Sequence, residues 1–80
     1  MKKYVFMDTT DRAMGNAYKV YNTHSESYVV ILCESGIMGL NKALQSHGWH
    51  TTDITQINNA TADSLQRDGM QFIKIHEIEQ

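Results

Sequence analysis

Apolar residues follow one another without interruption at positions 28–33 of this 80-residue chain, and the pattern changes on either side of that run. The run, Tyr-Val-Val-Ile-Leu-Cys, contains three β-branched residues, which is typical of a strand covered on both faces. After Ser35, apolar positions recur at helical spacing through residues 36–47, and Gly48 and Trp49 follow immediately. The pattern predicts a central strand and one principal helix, with Ser35 as N-cap, Gly48 at the C-terminal cap and Trp49 packed back on the helix.

Two shorter segments before the central run have strand character. Residues 4–7 are aromatic and apolar, and residues 17–21 alternate between apolar and polar types. The connectors 8–16 and 22–27 are polar and rich in turn-forming residues. Because both connectors are short, we expect the first three strands to form an antiparallel meander.

The pattern after the helix is less regular. Residues 49–57 have strand propensity but imperfect alternation, which predicts a strand with a bulge or bend. Thr61 is expected to cap a short helix over residues 62–67, in which Leu65 is the one obvious apolar anchor, so a single turn is the alternative. Residues 70–78 read as the last strand.

The predicted order β-β-β-α-β-(α)-β indicates an α+β fold in a single domain spanning residues 1–80. It consists of a mainly antiparallel sheet with one principal helix packed on one face. The first and last strands carry apolar side chains on both sides, and one helix of three turns cannot cover both faces of the sheet. The second face is therefore expected to be partly exposed apolar surface or to be covered by something else, which is typical of protein contacts.

Composition narrows the function classes. Seven Lys and Arg against nine Asp and Glu give a net charge of −2, and the basic residues are scattered, which argues against nucleic-acid binding. Cys33 is the single cysteine, so no disulfide can form within the chain. The apolar stretch after Lys2 and Lys3 is too short for a secretory signal or a membrane span, so we expect a cytoplasmic protein with no membrane partner.

The sharpest local signal for a ligand is the segment Ser35-Gly36-Ile37-Met38-Gly39, where two glycines lie at the start of the helix. Unpaired amides at a helix N-terminus favour anions, so Ser35, Gly36 and Gly39 form a candidate anion-binding or phosphate-binding site. The alternative is structural: Gly36 relieves the strand-to-helix corner and Gly39 allows close packing of the helix on the sheet.

No catalytic or metal-binding constellation emerges from the spacing of reactive residues. His47, His50 and Asp53 flank the end of the helix without the spacing of a zinc motif. Cys33 lies within an apolar strand, where a thiol is expected to be inert. We therefore expect no metal, no cofactor and no enzymatic activity.

The remaining hypothesis is a small non-enzymatic protein-interaction module, a regulator or inhibitor of the size and composition seen among proteins of bacterial viruses. It would act by binding another protein or by self-association, and a homodimer is expected; the alternative is a small-ligand domain that uses the Gly36–Gly39 helix start. Rigid aromatic side chains are frequent in protein interfaces. The expected contact residues are Tyr4, Phe6, Tyr18, Tyr21 and Phe72.

Overall fold

The computed structural model describes residues 2–13 and 15–79 and shows an α+β fold with a five-stranded mixed sheet and two helices. This confirms the predicted fold class and the predicted order of elements. The strands are β1 (Lys2–Asp8), β2 (Ala17–Asn22), β3 (Ser27–Leu32), β4 (Ile54–Ile57) and β5 (Phe72–Glu79), and the helices are α1 (Gly36–Ser46) and α2 (Asn59–Arg67).

The sheet has the strand order β1-β5-β3-β2-β4. The central pair, β3 and β5, is parallel, and the other three pairs are antiparallel. The predicted meander is therefore wrong for β1, which lies at the sheet edge beside β5, whereas β2 and β3 do form the predicted hairpin. The connector after β1 is no tight turn: Arg12 in that connector forms an ion pair with Asp63 of α2, with 2.7 Å between Nη2 and Oδ2.

The helix α1 begins and ends close to the predicted positions. At its C-terminus the amide of Gly48 donates to the carbonyl of Gln45 and the amide of Trp49 to that of Leu44, with Gly48 at a φ of +74°. This is the Schellman ending that the Gly-Trp pair predicts, and it directs Trp49 into the core.

The start of α1 differs from its prediction in one respect. Ser35 occupies the N-cap position but its side chain makes no capping hydrogen bond. Instead, the hydroxyl lies against Gly39, where an added Cβ would be 1.8 Å from Ser35 Oγ. Gly39 therefore makes room for the Ser35 side chain rather than for approach to the sheet, whereas Gly36, at a φ of +77°, does form the predicted corner.

The helix α2 is a true helix that begins earlier than the sequence predicts. Its N-cap is Asn58, whose side-chain oxygen accepts the amide of Thr61 at 2.8 Å, so the predicted cap at Thr61 is wrong. Asparagine is a preferred N-cap residue, and its position after β4 starts the helix at Asn59. The strand before it is shorter than predicted, because only Ile54–Ile57 pairs with β2.

Each helix covers one face of the sheet, and the two resulting cores do not mix. Successive side chains of β5 point to opposite faces of the sheet, so Ile73 and Ile75 belong to the α1 core and Phe72 belongs to the α2 core. Because α2 spans nine residues, it covers the middle of its face and leaves both ends open. The expectation of a partly exposed second face is therefore correct at those two ends. Neither helix in the described part of the chain is long and apolar enough to cross a membrane.

Candidate interaction surface

The structure places the five predicted contact residues in different environments. Tyr18 and Phe72 are buried, with exposed fractions of 2% and 3%, so they belong to the cores of this chain and offer no surface to a partner. Tyr4 and Phe6 are half-buried at the β1 edge, where they pack against the α1 core. Tyr21 is half-buried on the opposite face of the sheet. The sequence-based set is thus reduced to three residues on two sides of the molecule.

The candidate anion site at the start of α1 has apolar rather than polar surroundings. Ile37 and Met38 project from the first turn with exposed fractions of 46% and 73%. The amide of Gly36 donates to the carbonyl of Cys33 at 3.4 Å, and the Ser35 hydroxyl lies 3.4 Å from Cys33 Sγ. The carboxylate of Glu34 precedes the turn and opposes an anion. Nothing in this arrangement favours the phosphate-binding alternative.

A cleft of about 390 Å³ lies at the C-terminal end of β3, with Cys33 in its wall. Each of the two cations that line it has a carboxylate nearby: Arg12 pairs with Asp63, and Lys74 Nζ lies 3.8 Å from Asp11 Oδ2. The hydrogen bond and the charge of Asp63 raise the pKa of Arg12. The hydrogen bond from Arg12 lowers the pKa of Asp63, against the opposing effect of burial. The two ion pairs therefore hold the β1–β2 connector to α2 and to β5.

Metal binding has no support in the arrangement of side chains. Among residues 2–13 and 15–79, no group of three or more His, Cys, Asp or Glu side chains is placed to hold a metal ion. Of the residues considered in the sequence, His47 has another role, because its Nε2 lies 2.8 Å from the carbonyl oxygen of Tyr4 and its ring stacks on Phe6.

One end of the α2-covered face carries aromatic side chains that contact one another. We call this the tyrosine end and define it as Lys19, Tyr21 and Tyr28. The rings of Tyr21 and Tyr28 meet edge to face with centroids 5.2 Å apart, and Lys19 Nζ lies 4.5 Å above the Tyr28 ring. The Tyr28 hydroxyl donates to Asp53, and this hydrogen bond, followed by burial, raises the pKa of Tyr28. The Tyr28 side chain therefore has three partners within the chain: Tyr21, Lys19 and Asp53.

The other end of the same face is formed by β1 and β5 alone, beyond the reach of α2. Met7 and Ile78 are exposed there to 51% and 47%, and Val5 between them is half-buried. The register places each of these apolar residues directly opposite a basic one. We call this surface the ribbon face, and its cross-strand pairs are Met7 with Lys74, Val5 with His76, and Ile78 with Lys3.

The ribbon face carries basic side chains and no acidic ones. None of its six side chains is a carboxylate, since alternation places Asp8 and Glu77 on the α1 side. Lys74 reaches Asp11 at the inner end, while Lys3 and His76 form no ion pair within the described residues. A surface of exposed apolar groups interleaved with cations can bind an apolar partner that carries carboxylates.

β1 is the edge strand of the sheet on this side, and one side of its backbone faces solvent. The amide of Thr9 donates to the carbonyl of Phe72, so in this antiparallel pair the odd-numbered residues of β1 bond to β5. The amides and carbonyls of the even-numbered residues, among them Tyr4 and Phe6, point away from the sheet. The bond from His47 to the Tyr4 carbonyl covers part of this edge.

The sequence-based site contains none of the six residues of the ribbon face. The available signal was the presence of apolar side chains on both sides of the first and last strands, which include Met7 and Ile78. The sequence does not show that these apolar residues lie together. The pairing of β1 with β5 at the sheet edge brings them onto one surface.

Comparisons with known proteins found no relative of this chain. A scan of protein-family models, a search of curated proteins and a search of solved structures each found no significant match for the chain.

Proposed function

We propose that this protein is a non-enzymatic protein-interaction module that binds an acidic, apolar segment of another protein on the ribbon face. The observation that carries the proposal is the pairing of each exposed or half-exposed apolar residue with a basic residue across β1 and β5. Burial of the apolar groups would supply affinity, and the cations would select carboxylates on the partner.

The charge of the ribbon face argues for a different protein rather than a second copy on this surface. If two ribbon faces packed against each other, Lys3 and Lys74 of one copy would meet the same cations of the other. Like charges brought together in an interface oppose association. An acidic partner segment removes that repulsion and replaces it with attraction.

The proposed mechanism is occlusion of the bound segment. The ribbon face is a small surface, and contacts of low area are typical of weak or transient complexes. A regulator or inhibitor that covers a short acidic segment of its target is consistent with this size. The fold would act as a rigid support, with α1 and α2 holding β5 in place.

The first test uses two synthetic peptides of equal length, one with alternating Leu and Glu and one with alternating Leu and Lys. We expect the Glu peptide to shift the NMR methyl signals of Val5, Met7 and Ile78, and the Lys peptide to leave them unchanged. The variant Met7→Ser/Ile78→Ser should lose the effect and remain folded. The matched control Ile37→Ser/Met38→Ser, at the start of α1, removes exposed apolar groups elsewhere and should bind normally.

Charge reversal tests the same surface independently. The variant Lys3→Glu/Lys74→Glu should lose binding to the Glu peptide and gain binding to the Lys peptide. Phosphatidylserine vesicles and duplex DNA are included as other anionic probes. Equal binding of both peptides, or stronger binding of vesicles or DNA through the same residues, would overturn the assignment of a protein partner.

A further inference from the structure

We infer that the β1 edge is a second interaction surface, which takes the β1 strand of another copy of this chain to join two sheets into one. This inference does not require the ribbon face to bind anything. It rests on the outward-facing backbone of β1, the order of charges along it and the position of His47.

The outward-facing residues of β1 are Lys2, Tyr4, Phe6 and Asp8, by the alternation that the Thr9–Phe72 bond establishes. Two such edges pair antiparallel around a twofold axis, the commonest symmetry of homodimers. When Val5 lies on the axis, all four outward residues of each copy face an outward residue of the other. Placing the axis at Tyr4 or at Phe6 leaves an end residue without a partner.

Charge complementarity selects the same register. With Val5 on the axis, Lys2 lies opposite Asp8 of the second copy, and the reverse pair forms at the other end of the interface. Tyr4 lies opposite Phe6, which forms an aromatic cross-strand pair of the kind that stabilises sheets. With the axis at Tyr4, Lys2 would instead lie opposite Phe6, and Asp8 would lie opposite no residue of β1. The strand is therefore self-complementary in one register.

The pairing also extends the ribbon face. In a continuous sheet, the same face of both copies lies on the same side of the molecule. Val5 would meet Val5 of the second copy on that side, and Lys3 would lie opposite Met7. The two ribbon faces would then form one surface of twice the area, which brings it closer to the size of a stable interface.

His47 controls access to this edge. Its Nε2 lies 2.8 Å from the Tyr4 carbonyl, the acceptor that the amide of Phe6 from the second copy would use. The ring is held there by stacking on Phe6, with 4.0 Å between the ring centroids. Exposed strand edges are commonly protected against pairing, and a side chain that covers the edge is one such protection. Pairing of two copies requires both His47 side chains to leave.

The test is the solution mass of the full chain by sedimentation and light scattering over a concentration series. His47→Ala frees the Tyr4 carbonyl, so we expect its association constant to exceed that of the unmodified chain by about tenfold or more. Tyr4→Pro removes the outward-facing N–H of residue 4 but leaves the hydrogen bonds between β1 and β5 intact, so it should abolish association. Tyr4→Ala keeps this N–H and is the matched control. The combination His47→Ala/Tyr4→Pro should be monomeric.

The register is tested by exchanging charges. Lys2→Glu should weaken association of the His47→Ala chain, and Lys2→Glu/Asp8→Lys should restore it, because the pairs across the axis become opposite again. A monomeric His47→Ala chain, or equal association of Tyr4→Pro and Tyr4→Ala, would overturn the inference. Those results would leave the peptide-binding test untouched, because that test measures the ribbon face in the monomer.

Discussion

The tyrosine end and the ribbon face lie on the same side of one sheet, at opposite ends of the region that α2 covers. They differ in the contacts that their exposed side chains make within the chain. At the tyrosine end, Tyr28 is 38% exposed but contacts Tyr21, Lys19 and Asp53. On the ribbon face, Met7 and Ile78 are more exposed and have cations as neighbours across the strand pair. Aromatic content alone would favour the first region as a binding surface. The unpartnered apolar groups favour the second.

The difference has a topological cause. The tyrosine end lies on β2 and β3, where the segment before β4 supplies Asp53 as a further partner. The ribbon face lies on β1 and β5, beyond which the sheet ends. A surface at a sheet edge has fewer neighbouring elements that can contact its side chains. The comparison therefore predicts that substitutions at the centre affect folding, those at the tyrosine end affect local stability, and those on the ribbon face affect binding alone.

The largest effect is expected at the centre of this face, where Phe72 lies beneath α2. Phe72→Ala should lower the free energy of unfolding by about 3–5 kcal/mol, because it removes a buried aromatic side chain and leaves a cavity. That loss approaches the whole stability of a domain of this size. Urea denaturation measures it, with Ile78→Ala at the exposed end of the same strand as the matched control, for which the expected loss is below about 1 kcal/mol. Similar losses in the two variants would contradict the assignment of Phe72 to the core.

A smaller effect is expected at the tyrosine end. Tyr28→Phe removes the hydroxyl that donates to Asp53 and should lower Tm by about 2–5 °C. Because the pKa of Tyr28 is raised, the stabilisation from its neutral phenol is present below about pH 10 and is lost as pH rises through the raised value.

The ultraviolet titration of phenolate checks this assignment. Burial raises the pKa of Tyr18 and hydrogen bonding raises that of Tyr28, so two tyrosines should titrate late in the unmodified chain. One late tyrosine should remain in Tyr28→Phe, and Tyr21→Phe serves as control with both retained. Two late tyrosines in Tyr28→Phe would disprove the role of Asp53.

The ion pair between Arg12 and Asp63 should give a smaller, pH-dependent effect. The pKa of Asp63 is lowered in the folded chain, so the pair stabilises the fold above about pH 4, the ordinary carboxyl range. This contribution is lost as pH falls through the lower folded value. The urea midpoint of Asp63→Asn should therefore lie below that of the unmodified chain at pH 7 and approach it at pH 3. A difference that stays constant with pH would rule out the ionised pair as its source.

The smallest effect on stability, near zero, is expected on the ribbon face. Met7→Ser/Ile78→Ser should change the free energy of unfolding by less than about 0.5 kcal/mol per site, because both side chains are about half exposed in the folded chain. The same variant should lose binding to the Glu peptide. Loss of folding would show that these residues support the sheet and would remove the basis for the ribbon face.

Local rules of the sequence predicted much of the fold. The run 28–33 became β3 and its continuation into Cys33, and the Gly48-Trp49 pair formed the expected helix ending. The alternation at 17–21 and the turn after it gave the β2–β3 hairpin, in which the Asn22 side chain accepts the amide of His24 at 2.9 Å. These features depend on residues that are close in sequence, which explains why pattern and capping chemistry are sufficient for them.

Long-range pairing set the features that the sequence did not predict. The partner of β1 is β5, and the β1–β2 connector contacts α2, for example through the hydrogen bond that Gln66 Nε2 donates to the Thr10 carbonyl at 3.0 Å. The same holds for the candidate site. Tyr18 is buried in the α1 core and Phe72 beneath α2, on opposite faces of the sheet, and Met7 and Ile78 had no common location until their strands were paired.

The pairing of β1 with β5 also imposes an order on synthesis and assembly. Of the five strands β1 is made first and its partner β5 last, with more than sixty positions between paired residues such as Asp8 and Ile73. A growing chain can form the β2–β3 hairpin and α1 long before β1 has anything to pair with, and such distant pairings are the slow ones in folding. During translation β1 is therefore a loose segment rather than a sheet edge. Association of two copies through β1 would wait until β5 of each copy has been made and paired, which separates formation of the sheet from its assembly.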